Sequence, residues 1–149
     1  MSTIAAWLPV GNFPKVVLFV SVLAVYNSIQ CFIPAMRLTH RIYARKPKEA
    51  TALAARLMGL WTLTSAAIRI YTAYNMNDPA CYNLCMLTYM LVTFSFTTEI
   101  FIHKTAPLSS PGVWPALLIA TASLTYMVVY RDFYLGPEAI AAAFSHTDL

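Results

Sequence analysis

Long uncharged stretches are the feature that most constrains the fold of this chain. Residues 16–36 carry no charged side chain, and a helix of that length extends about 31 Å, the thickness of a bilayer's hydrocarbon core. Residues 79–98 and 105–130 are also uncharged, and residues 57–77 are interrupted only by Arg69. The pattern predicts an all-α, polytopic membrane protein with four transmembrane helices in a small bundle.

The composition leaves little room for a separate soluble domain. Hydrophobic residues make up 59% and charged residues 11% of the sequence, whereas soluble domains carry about 25% charged residues. We predict one membrane domain over residues 1–149, with a basic loop at 37–56 and spans at about 16–36, 57–77, 79–102 and 113–131. No basic segment followed by an apolar one precedes Pro14, so the first span is expected to act as an uncleaved targeting signal.

Basic residues are distributed unevenly between the two ends of the predicted helices. Seven of them lie in the segments 37–56 and 103–112, on one side, whereas Lys15 and Arg131 lie on the other. Because basic loops remain in the cytoplasm, both termini are expected in the lumen or outside the cell. The net charge of +4 is therefore interpreted as a topology signal, and no nucleic-acid partner is expected.

The basic loop opens with arginines at every fourth position, Arg37, Arg41 and Arg45, followed by Lys46. A helical extension of the first span would place the three arginines on one side. These four residues are candidate contacts for acidic surfaces of partner proteins. The alternative is that they bind anionic lipid headgroups and set the topology.

Three ionisable residues lie at or near membrane depth, Arg56, Arg69 and Glu99, and we interpret them as structural charges. Counted from the turn between the second and third spans, Arg69 and Glu99 differ in depth by about 20 Å. Arg56 matches the depth of Glu99, so we predict that Glu99 pairs with Arg56 or His103. Arg69 is expected to snorkel, or to meet Asp132 or mid-span hydroxyl groups. A substrate or transport role for these charges is the alternative.

Motifs for catalysis or cofactor binding are not found. The three histidines lack a repeated spacing that could hold iron, the four glycines are isolated, and there is no HExxH sequence. Cys81 and Cys85 share a helix face and could form a metal or redox pair, although small buried thiols are the plainer interpretation. We predict a protein that is not an enzyme and has no cofactor or metal.

Polar and small residues within the spans indicate faces that pack against other helices. Lipid cannot satisfy the polar row of the first span, which consists of Asn27, Ser28 and Gln30. Pairs of small residues four apart let helix backbones approach closely, either between two copies of the chain or within one copy. These pairs are Thr62 with Ala66 and Ala116 with Ala120.

Three strings are more specific than hydropathy: LFVSVLAVYNSIQCF at 18–32, ARKPKEATALAARLMGLWTLTSAAIRIYTAYNMNDP at 44–79, and LTYMLVTFSFTTEIFI at 87–102. In order and spacing they resemble the ergosterol biosynthetic protein 28 family. The resemblance runs from about Pro14 to Tyr134. The alanine-rich tail at 140–144 does not belong to the pattern.

The resemblance implies a non-catalytic, multi-pass protein of the endoplasmic reticulum membrane. It implies a scaffold that gathers the sterol C-4 demethylation enzymes: a C-4 methyl oxidase, a 3β-hydroxysteroid dehydrogenase/decarboxylase and a 3-keto sterol reductase, with a sterol C-24 methyltransferase as a further partner. Two other hypotheses remain open. One is a small transporter or lipid-binding protein that uses Arg69 and the polar row of the first span, and the other is an enzyme acting on sterol or lipid without a recognisable motif.

Overall fold

The computed structural model describes residues 7–137, and over that range the chain is helical with no strand. The expected all-α class is confirmed. The helices are α1 (Asn12–Phe32), α2 (Leu38–Ile42), α3 (Ala52–Tyr74), α4 (Pro79–Phe101), α5 (Trp114–Val129) and α6 (Arg131–Leu135), and a single 3₁₀ turn at Pro34–Met36 joins α1 to α2.

Two of the long helices meet the length and composition needed to cross a membrane. These are α1, with 21 residues, and α4, with 23 residues. Helix α5 is apolar but has 16 residues, which corresponds to about 24 Å. Helix α3 is long enough, with 23 residues, but its alanine, threonine, serine and arginine residues make it less apolar.

Local sequence signals determine where the helices begin and end. Helix α1 ends two residues before Pro34, as expected for a residue that cannot continue a helix. Asp78 caps α4, because its carboxylate accepts hydrogen bonds from the N–H groups of Cys81 and Ala80 at 2.9 and 2.7 Å. These bonds hold the pKa of Asp78 below its usual range. Thr51 caps α3, so this helix begins five residues before the predicted span.

The predicted helical row of arginines is wrong. Helix α2 has only five residues, and Arg37 precedes it in a left-handed conformation with a φ of 47°. Arg45 lies beyond its end, where its N–H donates to the carbonyl of Thr105 at 3.0 Å. Pro47 disfavours a helical conformation of the residue before it, so the chain turns instead. Arg37, Arg41 and Arg45 are exposed but share no helix face.

Helices α1 and α3 run antiparallel and make the closest approach in the bundle. The hydroxyl of Ser28 donates to the carbonyl oxygen of Gly59 at 2.6 Å. A Cβ atom on Gly59 would lie 2.8 Å from the ring of Phe32 and 3.0 Å from the Cβ of Cys31. Small residues recur on α3 at intervals of seven, and all are buried: Gly59, Ala66 and Ala73. The expectation that the polar row of the first span faces another helix is confirmed for Ser28, whereas Asn27 is exposed.

The bundle buries small polar side chains and exposes many large apolar ones, which distinguishes it from a typical soluble protein. The buried residues of the long helices include many small polar side chains: Ser21, Ser28, Ser65, Thr72, Thr88 and Ser123. Large apolar side chains are exposed on every long helix, including Phe19, Leu60, Phe94 and Leu118. Small residues at helix contacts and large apolar residues outside are typical of helices packed in lipid.

The small-residue pairs expected to join two copies are used within one copy. Ala66 and Ala120 are buried inside the bundle, while Thr62 and Ala116 line an interior cavity. Ala66 and Ala120 therefore offer no free surface to a second chain, whereas Thr62 and Ala116 are partly exposed.

Two separate apolar clusters hold the bundle together at its opposite ends. One lies where α1 begins and α5 ends, with Phe13 stacked on Tyr126 at a centroid distance of 4.2 Å. The other lies where α4 ends and α5 begins, and its buried members are Ile42, Ile100, Ala106 and Val113. The middle of the bundle lies between these clusters.

We predict that Gly59→Ala lowers the stability of the protein. Overpacking at a close helix approach costs about 1–3 kcal/mol, whereas alanine gains about 1 kcal/mol over glycine in a helix. The melting temperature in detergent should therefore fall. Ala67→Val, which adds bulk at an exposed position of the same helix, is the control. A higher melting temperature for Gly59→Ala would show that α1 and α3 are not this close.

Candidate functional site

A cavity of about 740 Å³ lies in the middle of the bundle, within the range of about 300–1,000 Å³ typical of small-molecule sites. All four long helices contribute to its lining. Its walls are mainly apolar and include Leu23, Val92, Phe96, Ile119 and Ala120. The side chain of Asn27, from the polar row of α1, also lines it.

The basic loop lines one end of this cavity. Arg41 and Ile42 of α2 line that end together with Gly112, which precedes α5. The hydroxyl of Ser110 donates to the carbonyl of Arg41 at 2.8 Å, and a Cβ atom on Gly112 would lie 2.9 Å from Ile42. The sequence pattern predicts this loop only as a topology signal or a docking surface. No sequence signal indicated that it folds back onto the segment before α5.

Arg69 lies at the other end of the cavity, with 5% of its surface exposed. Its Nε donates to the hydroxyl of Thr88 at 2.8 Å, and its guanidinium carbon lies 4.1 Å from the centroid of the Tyr89 ring. The expected contact with a mid-span hydroxyl is confirmed. Arg69 does not snorkel, because it is almost fully buried, and it forms no ion pair with Asp132.

Two polar atoms at this end have no hydrogen-bond partner within the described part of the chain. They are the Nη2 of Arg69 and the hydroxyl of Tyr89, and Tyr89 is only 1% exposed. The hydroxyl of Ser123 lies near that of Tyr89 but outside hydrogen-bonding geometry. Buried polar groups are almost always satisfied, so two unsatisfied groups beside one cavity indicate a site for a polar ligand atom.

The expected pairing of Glu99 with Arg56 or His103 does not occur. The carboxylate of Glu99 accepts a hydrogen bond from the hydroxyl of Thr105, and its carbonyl accepts one from the Thr105 N–H at 3.0 Å. Arg56 is exposed at the start of α3. Helix rise predicts a similar depth for the two residues, but depth does not determine the direction in which a side chain points.

The candidate contact residues of the basic loop are Arg37, Arg41, Arg45 and Lys46, and all four are exposed. Lys46 forms an ion pair with Glu49 at 3.5 Å, the only one between residues 7 and 137. The three arginines therefore have no acidic partner within the described chain. They are available to lipid headgroups or to a partner protein.

The three cysteines are free thiols. Cys85 is fully buried and Cys81 is half-buried, so the pair on one face of α4 is packed rather than presented to solvent. Among the residues that the structure describes, no group of three histidine, cysteine or acidic side chains could hold a metal ion. The arrangement thus offers a binding cavity and a cationic surface.

We predict that Thr88→Val destabilises the protein by about 1–3 kcal/mol, because it removes the acceptor of a buried charged donor. The matched control is Thr97→Val, an exposed threonine on the same helix. The measurement is thermal unfolding of both variants in the same detergent. Equal melting temperatures for the two variants would contradict the placement of Arg69 against Thr88.

The known proteins that are similar to this chain all belong to one family. A family model described as "Erg28 like protein" matches residues 13–125. The chain is 40% identical over 135 residues to ergosterol biosynthetic protein 28 of Saccharomyces cerevisiae, covering 91% of this chain and 90% of the relative. The corresponding protein of Schizosaccharomyces pombe is 37% identical, with 93% and 100% covered. The human homolog is 33% identical, with 74% and 78% covered. No solved structure matches.

Proposed function

Because the chain belongs to the Erg28-like family, we propose that it is a non-catalytic membrane scaffold in the biosynthesis of ergosterol or a related sterol. The observation that carries the proposal is the similarity over 91% of the chain to a relative named for ergosterol biosynthesis. Interior hydroxyls that join two helices support it, because they bind backbone carbonyls and so serve packing. Ser28 donates to Gly59 of α3, and Thr72 donates to Cys81 of α4.

The partners are the sterol C-4 methyl oxidase, the 3β-hydroxysteroid dehydrogenase/decarboxylase and the 3-keto sterol reductase, with the sterol C-24 methyltransferase as a further one. Tethering raises the local concentration of successive enzymes, which matters for intermediates that are insoluble in water. The exposed apolar faces of the long helices can contact partners within the bilayer. The exposed arginines of the basic loop can contact acidic surfaces outside it.

The chain is proposed to cross the membrane of the endoplasmic reticulum four times, with the basic loop in the cytoplasm. Large apolar side chains exposed on α3 and α5, including Leu57, Leu60, Leu118 and Val128, support spans beyond α1 and α4. Helix α5, although short, continues into α6 after one intervening residue. With four spans, both termini lie in the lumen.

We predict the topology as follows. A glycosylation acceptor fused to either terminus should be modified, whereas one placed in the basic loop between α2 and α3 should not be, because only lumenal sites are accessible. The measurement is the mobility shift that endoglycosidase removes. Modification of the loop with unmodified termini would reverse the topology, and modification of a single terminus would mean an odd number of spans.

We predict that capturing the protein from membranes in mild detergent retrieves the sterol oxidoreductases. Replacing Arg37, Arg41 and Arg45 together by glutamine should reduce their recovery and cause 4-methyl sterols to accumulate, while the glycosylation pattern stays normal. Failure of the unmodified chain to retrieve any of these enzymes would contradict the scaffold function.

The corresponding arginine-to-lysine triple variant separates partner contacts from lipid contacts. Lysine keeps the charge that attracts anionic headgroups, but it lacks the bidentate geometry by which arginine binds carboxylates. Recovery of the enzymes should therefore remain low in the lysine variant if the arginines contact acidic side chains. Full recovery with lysine, or unchanged recovery with glutamine, would leave the loop as a lipid and topology signal only.

Transport is the less favoured alternative. The cluster that includes Phe13, Val17, Tyr82 and Met127 fills one end of the bundle, and the basic loop covers the other. Because this apolar cluster fills the bundle at one end, the cavity does not form a continuous path across the bilayer. Solute flux into liposomes that contain the purified protein alone would favour transport over a scaffold.

A further inference from the structure

We propose that the interior cavity binds an amphipathic lipid of sterol size that carries a carboxylate, with the carboxylate held by Arg69. Neither the scaffold function nor any resemblance requires this site. Lipid binding by a single purified chain does not depend on the enzymes that the chain is proposed to gather.

Arg69 carries a buried charge that no described residue neutralises. The guanidinium is almost fully buried, and no carboxylate in the described part of the chain forms an ion pair with it. An isolated buried charge is strongly disfavoured unless it is paired. An anion supplied by a ligand in the cavity would provide the missing counter-charge.

The guanidinium of Arg69 is held in a fixed orientation. The bond from Nε to Thr88 and the stacking over Tyr89 hold the guanidinium in one orientation. Nη2 is then left without an acceptor, and so is the hydroxyl of Tyr89; Arg69 and Tyr89 both line the cavity. A guanidinium that is fixed in place with a free nitrogen is suited to bind a planar carboxylate.

The cavity is elongated and mainly apolar. Its lining on α3 runs from Met58 to Arg69, a distance of about 16 Å along the helix. The walls between these residues are mainly apolar, so the space suits an elongated apolar body with its polar group at the Arg69 end. Leu23 and Asn27 line the cavity and are also exposed, which places the opening on the α1 side, where a lipid can enter from the bilayer.

Two sources can supply this chemistry, a sterol carboxylic acid and a fatty acid. The sterol acid rests on the proposed function, since the species passed from a methyl oxidase to a decarboxylase must carry a carboxyl group. The fatty acid requires nothing beyond the bilayer. Both present one carboxylate and an apolar body, and they differ in rigidity and width.

The test is equilibrium binding of radiolabelled 3β-hydroxy-5-cholenic acid and oleic acid to the purified full-length chain in detergent. Each acid is compared with the alcohol formed by reducing its carboxyl group. We expect the cholenic acid to bind at least about tenfold more tightly than its alcohol, as a charge-assisted hydrogen bond would give. Tighter binding of oleic acid would identify the fatty acid as the source.

Four variants locate the site. Arg69→Met should remove the preference for acid over alcohol, and Arg56→Met, at an exposed arginine outside the cavity, should retain it. Ala116→Phe fills the cavity and should abolish binding of acid and alcohol alike. Ala122→Phe, at an exposed position of the same helix, should leave binding intact.

A fifth variant, Tyr89→Phe, keeps the ring beneath Arg69 and should weaken binding of the acid alone, so the test holds even if Arg69→Met fails to fold. Equal affinity for acid and alcohol in the unmodified chain would overturn the assignment of the carboxylate to Arg69. Unchanged binding in Ala116→Phe would overturn the cavity as the site. Failure to capture the sterol enzymes would contradict the scaffold function and leave these measurements unaffected.

Discussion

The contact between α1 and α3 is the interaction on which the rest of the bundle depends. In lipid, apolar side chains gain little by leaving the solvent, so helices associate through close packing and hydrogen bonds. Gly59 allows the backbones to approach, and Ser28 donates to the carbonyl that this approach exposes. Ala66 and Ala73 continue the same narrow face toward the other end of α3. Large side chains are thereby left on the outside of the bundle.

The tight pairing of α1 with α3 explains why a cavity remains in the middle. Helices α4 and α5 contact this pair at the aromatic cluster around Phe13 and Tyr126, at the bond from Arg69 to Thr88, and where the basic loop packs on the segment before α5. Between these places small side chains such as Ala116 and Ala120 face the interior without filling it. The same small residues that permit close packing elsewhere therefore leave space here.

Arg69 adds a charge to this space at a cost to stability that the chain itself does not offset completely. Thr88 and Tyr89 orient the guanidinium but supply no negative charge. A scaffold that only tethers enzymes has no need for a buried cation, whereas a site for an anionic lipid does. Tethering and lipid binding are compatible, since a scaffold that also holds an intermediate would keep it close to the enzymes that use it.

The sequence by itself determined the helical class and the position of the basic loop, because hydropathy and charge are local properties. It left three contacts open for Arg69, and the tertiary structure selects the hydroxyl of Thr88. The tertiary structure decided which sides of the helices meet. Helix rise predicts a similar depth for Glu99 and Arg56. The carboxylate of Glu99 instead accepts a hydrogen bond from the hydroxyl of Thr105, because the chain folds back after α4. The cavity likewise depends on the relative rotation of four helices, and no local pattern in the sequence encodes that rotation.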